Sequence, residues 1–502
     1  MVGLFKNPRL RGFSLASLDL PTSLALAVGV VVASLGVITG LWPYLIFLAV
    51  AIPLGLIVVQ RPQRGILIFA ALLPFDGLDY IFPLPEWAQG WKAAFVLGLL
   101  IATFLCPADA RGAHGRRLPG WVPAVAALFA ISVMTVPMVS MGTALVGLRI
   151  SYFNILIAVA VWRCPLDRDD RDRLINIFIG VAIITSVYGI YQQVVGHAQL
   201  AALGYPYNDV IRFTSGFRLR SFSTFNQPFP FAFYLMLAVL IALPDALDNP
   251  KRLRNRVFLF SLPLIGVAMI FSYVRGAWLG LGIGLLYLAF HRYKILVAFI
   301  PLAFAALLFL PGGSSFTNAA LQSNSLNVRT TSWVDRAGVL WSNPIGDGIG
   351  TTGAAAAKVA KTSAPTALGI NTFQPDNSYL KVGFEIGVAG IWLFIALLVS
   401  AFLTGRYVER RAEDADKHFA VAWSAQVLGI MGACVVATYF EMSPMDALFW
   451  LMLAVVSTMA PRIRGVSEGD PTAPREAVSK NRFEISAEES SPTAPEWQRV
   501  TP

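Results

Sequence analysis

Residues 228–274 read PFPFAFYLMLAVLIALPDALDNPKRLRNRVFLFSLPLIGVAMIFSYV, two apolar runs with Lys251, Arg252, Arg254 and Arg256 set between them. Each run holds roughly twenty residues, the length an α-helix needs to cross a bilayer's hydrocarbon core. The pattern recurs from Leu20 to Pro461. Over 502 residues the chain is 56% hydrophobic and 14% charged, whereas a soluble protein carries about a quarter charged residues. A set of soluble domain cores is therefore excluded, and an all-α polytopic membrane protein is expected. Breaks at charged or Gly/Pro clusters give about fourteen spans, near 22–40, 42–60, 64–81, 91–106, 121–138, 147–162, 174–195, 228–247, 257–274, 276–290, 295–311, 377–404, 419–439 and 444–460. Lys6, Arg9 and Arg11 lead into the first run with no small-residue cleavage site after it, which reads as an uncleaved span. Cys106, Cys164 and Cys434 are odd in number and imply no disulfide framework.

Charge gives the orientation. With a cytoplasmic N-terminus, alternate connections carry the basic residues: Arg61/Arg64, Arg111/Arg116/Arg117, Arg168/Arg171/Arg173, Lys251 to Arg256, Arg292/Lys294 and Arg406/Arg410/Arg411/Lys417. The other face has short, nearly uncharged turns near Gly40, Ser140 and Met442, and two long connections, 196–227 and 312–376, the second lying between spans 11 and 12. No Gly-rich phosphate loop ending in Lys-Ser/Thr is present, which argues against an ATP-driven pump. Residues 462–502, rich in Pro, Ser and Glu, read as a disordered cytoplasmic tail.

Arginine on the external face runs against this bias and asks for another explanation. Arg212, Arg218 and Arg220 precede the span opened by Gln227-Pro228, and Arg218 and Arg220 share one side of an extended loop. Arg275 lies in the turn of a helical hairpin with almost no loop. Arg329, Trp333 and Arg336 fall on one stripe if their segment is helical. The guanidinium fork suits phosphate, and several forks at one face suit a diphosphate whose tail lies in lipid. The plainer reading is that these arginines pair with Asp209, Asp335 or lipid headgroups and hold the loops down.

Further on, Asn343-Pro-Ile-Gly346-Asp-Gly348-Ile-Gly350 places glycine at alternate positions, allowing tight turns and amides presented to an anion. Asp376-Asn377 enters a span that contains Glu385, and reads as its N-cap.

In order and spacing these pieces resemble the O-antigen ligase and Wzy-type polysaccharide polymerase superfamily of lipid-linked glycan transferases. The matching stretches are RSFSTFNQPFPFA (220–232), FSYVRGA (271–277), RTTSW (329–333), NPIGDGIG (343–350), DNSYL (376–380) and EIGVAG (385–390). The resemblance covers about 215–400 and implies a GT-C-like glycosyltransferase fold. It implies glycan transfer from an undecaprenyl diphosphate carrier to an acceptor on the outer face of the cytoplasmic membrane, with inversion and with neither metal nor cofactor. Arg220, Arg275 and Arg329 would hold the diphosphate, Arg218 and Arg336 would add to them, and Asn226, Trp333, Asn377, Tyr379 and Glu385 would support the motifs. The ligases carry His where this chain has Asp376. An ordinary Asp has a pKa of about 3.9 and is a weak base, so Asp376 is read either as base or as the group orienting the acceptor hydroxyl. His197, external in this topology, is read as structural or solvated rather than as the missing His. Loss of that His favours polymerisation or another glycan transfer over ligation to a lipid A core.

The organisation expected is a cytoplasmic N-terminus at 1–21, transmembrane helices over 22–195, a catalytic core over 196–404, further transmembrane helices over 405–460 and a tail over 461–502. Expected partners are a lipid-linked oligosaccharide donor, a glycan or glycolipid acceptor and membrane lipid, with room for a chain-length regulator or flippase and no nucleic acid. A flippase or secondary transporter of the same lipids is the rival reading, since it too needs external arginines, although transporters place more charge within their spans. A scaffold leaves the ordered arginine motifs without a purpose.

Overall fold

The computed structural model describes residues 53–81, 90–106, 118–205, 219–298, 333, 338, 340–360, 375–412 and 414–459. Regular structure among them is helical. We number the helices α1 (Pro62–Leu72), α2 (Trp91–Leu105), α3 (Val122–Met134), α4 (Met141–Tyr152), α5 (Ile155–Arg163), α6 (Arg168–Val195), α7 (His197–Ala202), α8 (Pro228–Asp248), α9 (Leu253–Phe271), α10 (Arg275–His291), α11 (Gly353–Ala360), α12 (Ser378–Glu409), α13 (Asp414–Val436) and α14 (Met445–Thr458).

Five helices are long and apolar enough to cross a membrane: α6, α8, α9, α12 and α13 from Asp416 onward; α4 and α5, bent by 44° at their junction, pass the same test as a pair. The expected count of fourteen is therefore not reproduced in full among the described residues. The expected spans 22–40 and 295–311 lie wholly or mostly outside those residues, as does most of the connection 312–376. The expected span 64–81 is a helix followed by a 3-10 turn, Leu73–Tyr80. The expected span 147–162 crosses the α4/α5 bend.

Helix α8 is apolar on every side and correspondingly buried on every side, which makes it the centre of the bundle. Helices α6, α9, α10 and α13 pack around it. The contact between α10 and α13 follows from a stripe of small residues. Gly276, Gly280 and Gly284 stand four apart, and a Cβ on Gly280 would meet the Gly429 carbonyl oxygen at 2.7 Å. Such small-residue spacing lets two helix backbones approach, which is how helices pack tightly where lipid supplies no hydrophobic drive.

Charge sorts the two ends of the bundle. At one end Arg61 pairs with Asp167 and Asp170, Arg171 with Asp416, Arg254 with Asp245 and Asp172, Arg292 with Asp248, and His291 and Arg406 with Glu409. These are the connections that the sequence marks as basic. The buried thiols Cys106 and Cys164 also meet near this end, with sulfurs 3.4 Å apart. The opposite end, where α6 and α9 finish and α8, α10 and α12 begin, gathers the motif residues.

Candidate functional site

The first motif is built from backbone pairing. The loop leading into α8 lies against the α9/α10 turn, where the Ser221 amide donates to the Phe271 carbonyl at 2.8 Å. Arg220 then donates through Nε to the Ser272 carbonyl at 3.1 Å and through Nη2 to the Tyr273 carbonyl at 3.4 Å, with its guanidinium 4.8 Å above the Phe229 ring. Two bonds and a ring face fix the plane of this cation. Arg275, two residues beyond Tyr273, is the first residue of α10 and is half-buried. The three-residue hairpin connection places the two arginine motifs side by side, as the sequence spacing implies.

Asn226 ends the same loop. Its neighbour Thr224 accepts from the Gly77 amide at 2.8 Å, and a Cβ on Gly77 would collide with the Phe225 backbone, so the 3-10 turn after α1 packs directly on this motif. The Asn226 amide lies in reach of the Asp76 carboxylate, which Lys92 holds with a 2.5 Å ion pair.

The second group forms at the start of α12. Asn377 caps the helix, its Oδ1 accepting from the Tyr379 amide at 2.9 Å and the Leu380 amide at 3.1 Å. Asp376 just ahead of it takes a left-handed backbone, φ 46°, and is half-buried. The Trp333 indole donates to the Pro375 carbonyl at 3.1 Å, which brings Trp333 to the residue before Asp376. Tyr379 donates to the Met431 carbonyl at 3.0 Å, and Ser378 Oγ to the Ala437 carbonyl at 2.8 Å. A Cβ on Gly276 would touch the Val436 side chain at 2.9 Å. The end of α13 is thus the wall shared by Arg275 and the Asp376 motif.

Arg218, Arg329 and Arg336, with Arg212, Asp209 and Asp335, lie outside the described residues. His197 is exposed at the start of α7.

The glycine run serves a different purpose from the anion cradle expected of it. Helix α12 breaks at Ile386 and Gly387, where φ is −128° and 76°. The Asp347 amide donates to the Phe384 carbonyl at 2.7 Å, the Gly348 amide to the Glu385 carbonyl at 2.9 Å, and the Val388 amide to the Pro344 carbonyl at 3.0 Å. The Ile349 amide goes to Thr135 Oγ1 at 3.1 Å. The amides of Asp347 and Gly348 are spent on closing the break and that of Ile349 on Thr135, because unpaired backbone in an apolar setting costs several kcal/mol per group.

Beside the break lies a buried ion cluster that sequence reading missed in part. Lys381 reaches Glu385 at 2.8 Å and Glu441 at 3.5 Å. Thr352 Oγ1 donates to Glu385 at 3.4 Å, and the Ala354 amide meets both oxygens of Glu441 at 3.2 Å. A cavity of about 80 Å³, lined by Ser378, Lys381, Thr438 and Glu441 among others, adjoins it. Glu385 was legible as part of a motif. Lys381 carried a signal of its own, a Lys and a Glu four apart inside an apolar run.

Residues 259–395 match a family model described as O-antigen ligase. The matched stretch runs from within α9 into α12, taking in Arg275, Trp333, the glycine run, Asp376 and Glu385, while Arg220 falls before it. No curated protein matches the chain. The match supports membership of the O-antigen ligase and polymerase superfamily for the segment from α9 to α12.

Proposed function

We propose that the chain is a membrane glycosyltransferase that moves a glycan from a polyprenyl diphosphate carrier to an acceptor hydroxyl at the outer face of the cytoplasmic membrane. The observation that carries this reading is the meeting of Arg220's loop with the start of α10 at Arg275, across the end of α13 from Asp376. In the reaction the acceptor oxygen bonds to the anomeric carbon, the bond from that carbon to the phosphate oxygen breaks, and the diphosphate departs with the electron pair. Arg220 and Arg275 stabilise the charge that grows on it, with Arg218, Arg329 and Arg336 added from the loops. Preorganised cations act strongly where water is excluded, since they need no reorganisation as charge develops. Asp376 takes the acceptor proton or orients the hydroxyl as the proton leaves to water.

One observation favours transport instead: a broken helix beside buried charge is a familiar transporter device. Here the 343–350 segment pairs with the break and takes up its free carbonyl groups. Incubating purified protein with a lipid-linked oligosaccharide separates the readings. Longer saccharides on the lipid mark a polymerase and transfer to another molecule a ligase. Unchanged lipid moved across vesicles would overturn the enzyme reading.

A further inference from the structure

A second cavity, of about 340 Å³, opens at the same end of the bundle between α2, α4, α11 and the start of α14. Its polar lining includes Lys92, Arg149, Asn154, Lys358, Glu441 and Asp446, and Phe153 and Phe440 form apolar wall. The volume falls in the ~300–1,000 Å³ range of small-molecule sites. Some of its charges are already matched. Lys92 pairs with Asp76, and Glu441 takes Lys381 and the Ala354 amide, while Asp446 accepts from the neutral Asn154 amide and keeps its charge. Arg149 and Lys358 have no ion pair among the described residues, and with Lys92 they outnumber the two carboxylates of the lining, Glu441 and Asp446.

Two cations with no ion pair among the described residues, beside aromatic rings, the Asn154 amide and the Ser443 hydroxyl, suit a sugar that carries an oxyanion. The lining contains neither Arg220 nor Arg275. Lys92 links the cavity to Asp76 and the Asn226 amide at the end of Arg220's loop, and Glu441 links it to Lys381 in the first turn of α12. A transfer between two saccharides needs a second site of this kind next to the first.

We propose that this cavity is the acceptor subsite, and that Arg149 and Lys358 bind a phosphate or carboxylate carried by the acceptor saccharide. The acceptor role rests on the glycan-transfer reading above. Both side chains are exposed, so Arg149→Gln with Lys358→Gln is expected to leave the fold intact.

The test measures KM for three acceptors at saturating lipid-linked donor: a lipid-diphosphate saccharide, the same saccharide as a phosphate ester without lipid, and the neutral saccharide. Wild type is expected to prefer the anionic acceptors. The double variant is expected to raise their KM about tenfold while KM for the donor and for the neutral acceptor stays unchanged. Equal use of both anionic acceptors assigns the oxyanion to the sugar, and preference for the first assigns it to the carrier; each supports the site. Unchanged KM for both anionic acceptors in the double variant, with wild-type transfer intact, overturns the site and spares the transfer reading. A second measurement, saturation-transfer NMR with a hexose phosphate probe, reads the cavity without turnover. Absent transfer in wild type with probe binding lost in the double variant would overturn the acceptor role and keep the anion site. Probe binding equal in both proteins would overturn the anion site as well.

Discussion

Arg275 stands at the start of α10, with three residues between it and the end of α9, and the proposed reaction asks it to hold the diphosphate there. Gly276 sits against Val436, which sets the first turn of α10 against the end of α13. Arg275→Ala and Arg220→Ala are each expected to cut glycan transfer by about 10²–10³-fold, the scale of losing one preorganised donor to a developing oxyanion, with membrane insertion unchanged by fractionation. Near-normal product from either would count against a diphosphate site there. Asp376→Ala is expected to abolish transfer, and Asp376→Asn separates its two roles, because an orienting group tolerates the amide while a base does not. For stability the residue to test is Lys381. Lys381→Met strands Glu385 and Glu441 in the interior and is expected to destabilise the protein by about 3–5 kcal/mol, the cost of breaking a buried pair from one side. A second change to neutral glutamine at Glu385 and Glu441 should restore much of the loss in detergent unfolding. Arg220, Arg275, Asp376 and Asn377 were legible from residue type and motif order. Lys92, Arg149 and Glu441 were not, because their meaning comes from residues far away in the chain: Lys92 pairs with Asp76 and bonds Ser443, and Glu441 meets Lys381.

Helix α12 is the element on which the site turns. Its sequence from Asn377 to Thr404 reads as one apolar run, and periodicity gives no sign of the break at Gly387. The sign was the glycine run forty residues earlier, read as allowing tight turns or amides presented to an anion, and it is the partner of the break. Gly387 has a left-handed backbone, and a Cβ there would collide with the Pro344 carbonyl oxygen. Gly387→Ala is therefore expected to cost at least about 1–3 kcal/mol, the strain of a residue held in a sparsely populated backbone region, and more from the collision. Thermal unfolding in detergent measures the loss, and a stability equal to wild type would contradict the pairing between these segments. The cap at Asn377 was legible, since Asx residues before an apolar run satisfy the free amides of a helix start. The hairpin around Arg275 was legible too, from two apolar runs with almost nothing between them.

At the scale of the whole molecule, composition alone gave a helical membrane protein, and the described helices agree. The span count was less secure because α1, α2, α3, α10 and α14 are helices of 11 to 17 residues, too short to be counted by length. Sorting of charge survived better: five of the basic connections meet in one ion-paired layer, and the motif residues collect at the other end. If basic loops face the cytoplasm, a cysteine introduced at the exposed Ala357 should react with an impermeant maleimide added outside, and one at the exposed Lys251 should not. The reverse pattern would place the site on the wrong face for an external glycan transferase. The central claim is that Arg220 and Arg275 hold a lipid diphosphate while its glycan is transferred. Release of free polyprenyl diphosphate from a lipid-linked oligosaccharide, followed side by side for wild type, Arg220→Ala and Arg275→Ala, tests it directly. Release by wild type together with background levels from both variants is the predicted result; intact lipid with wild type, or equal release by all three, would contradict it.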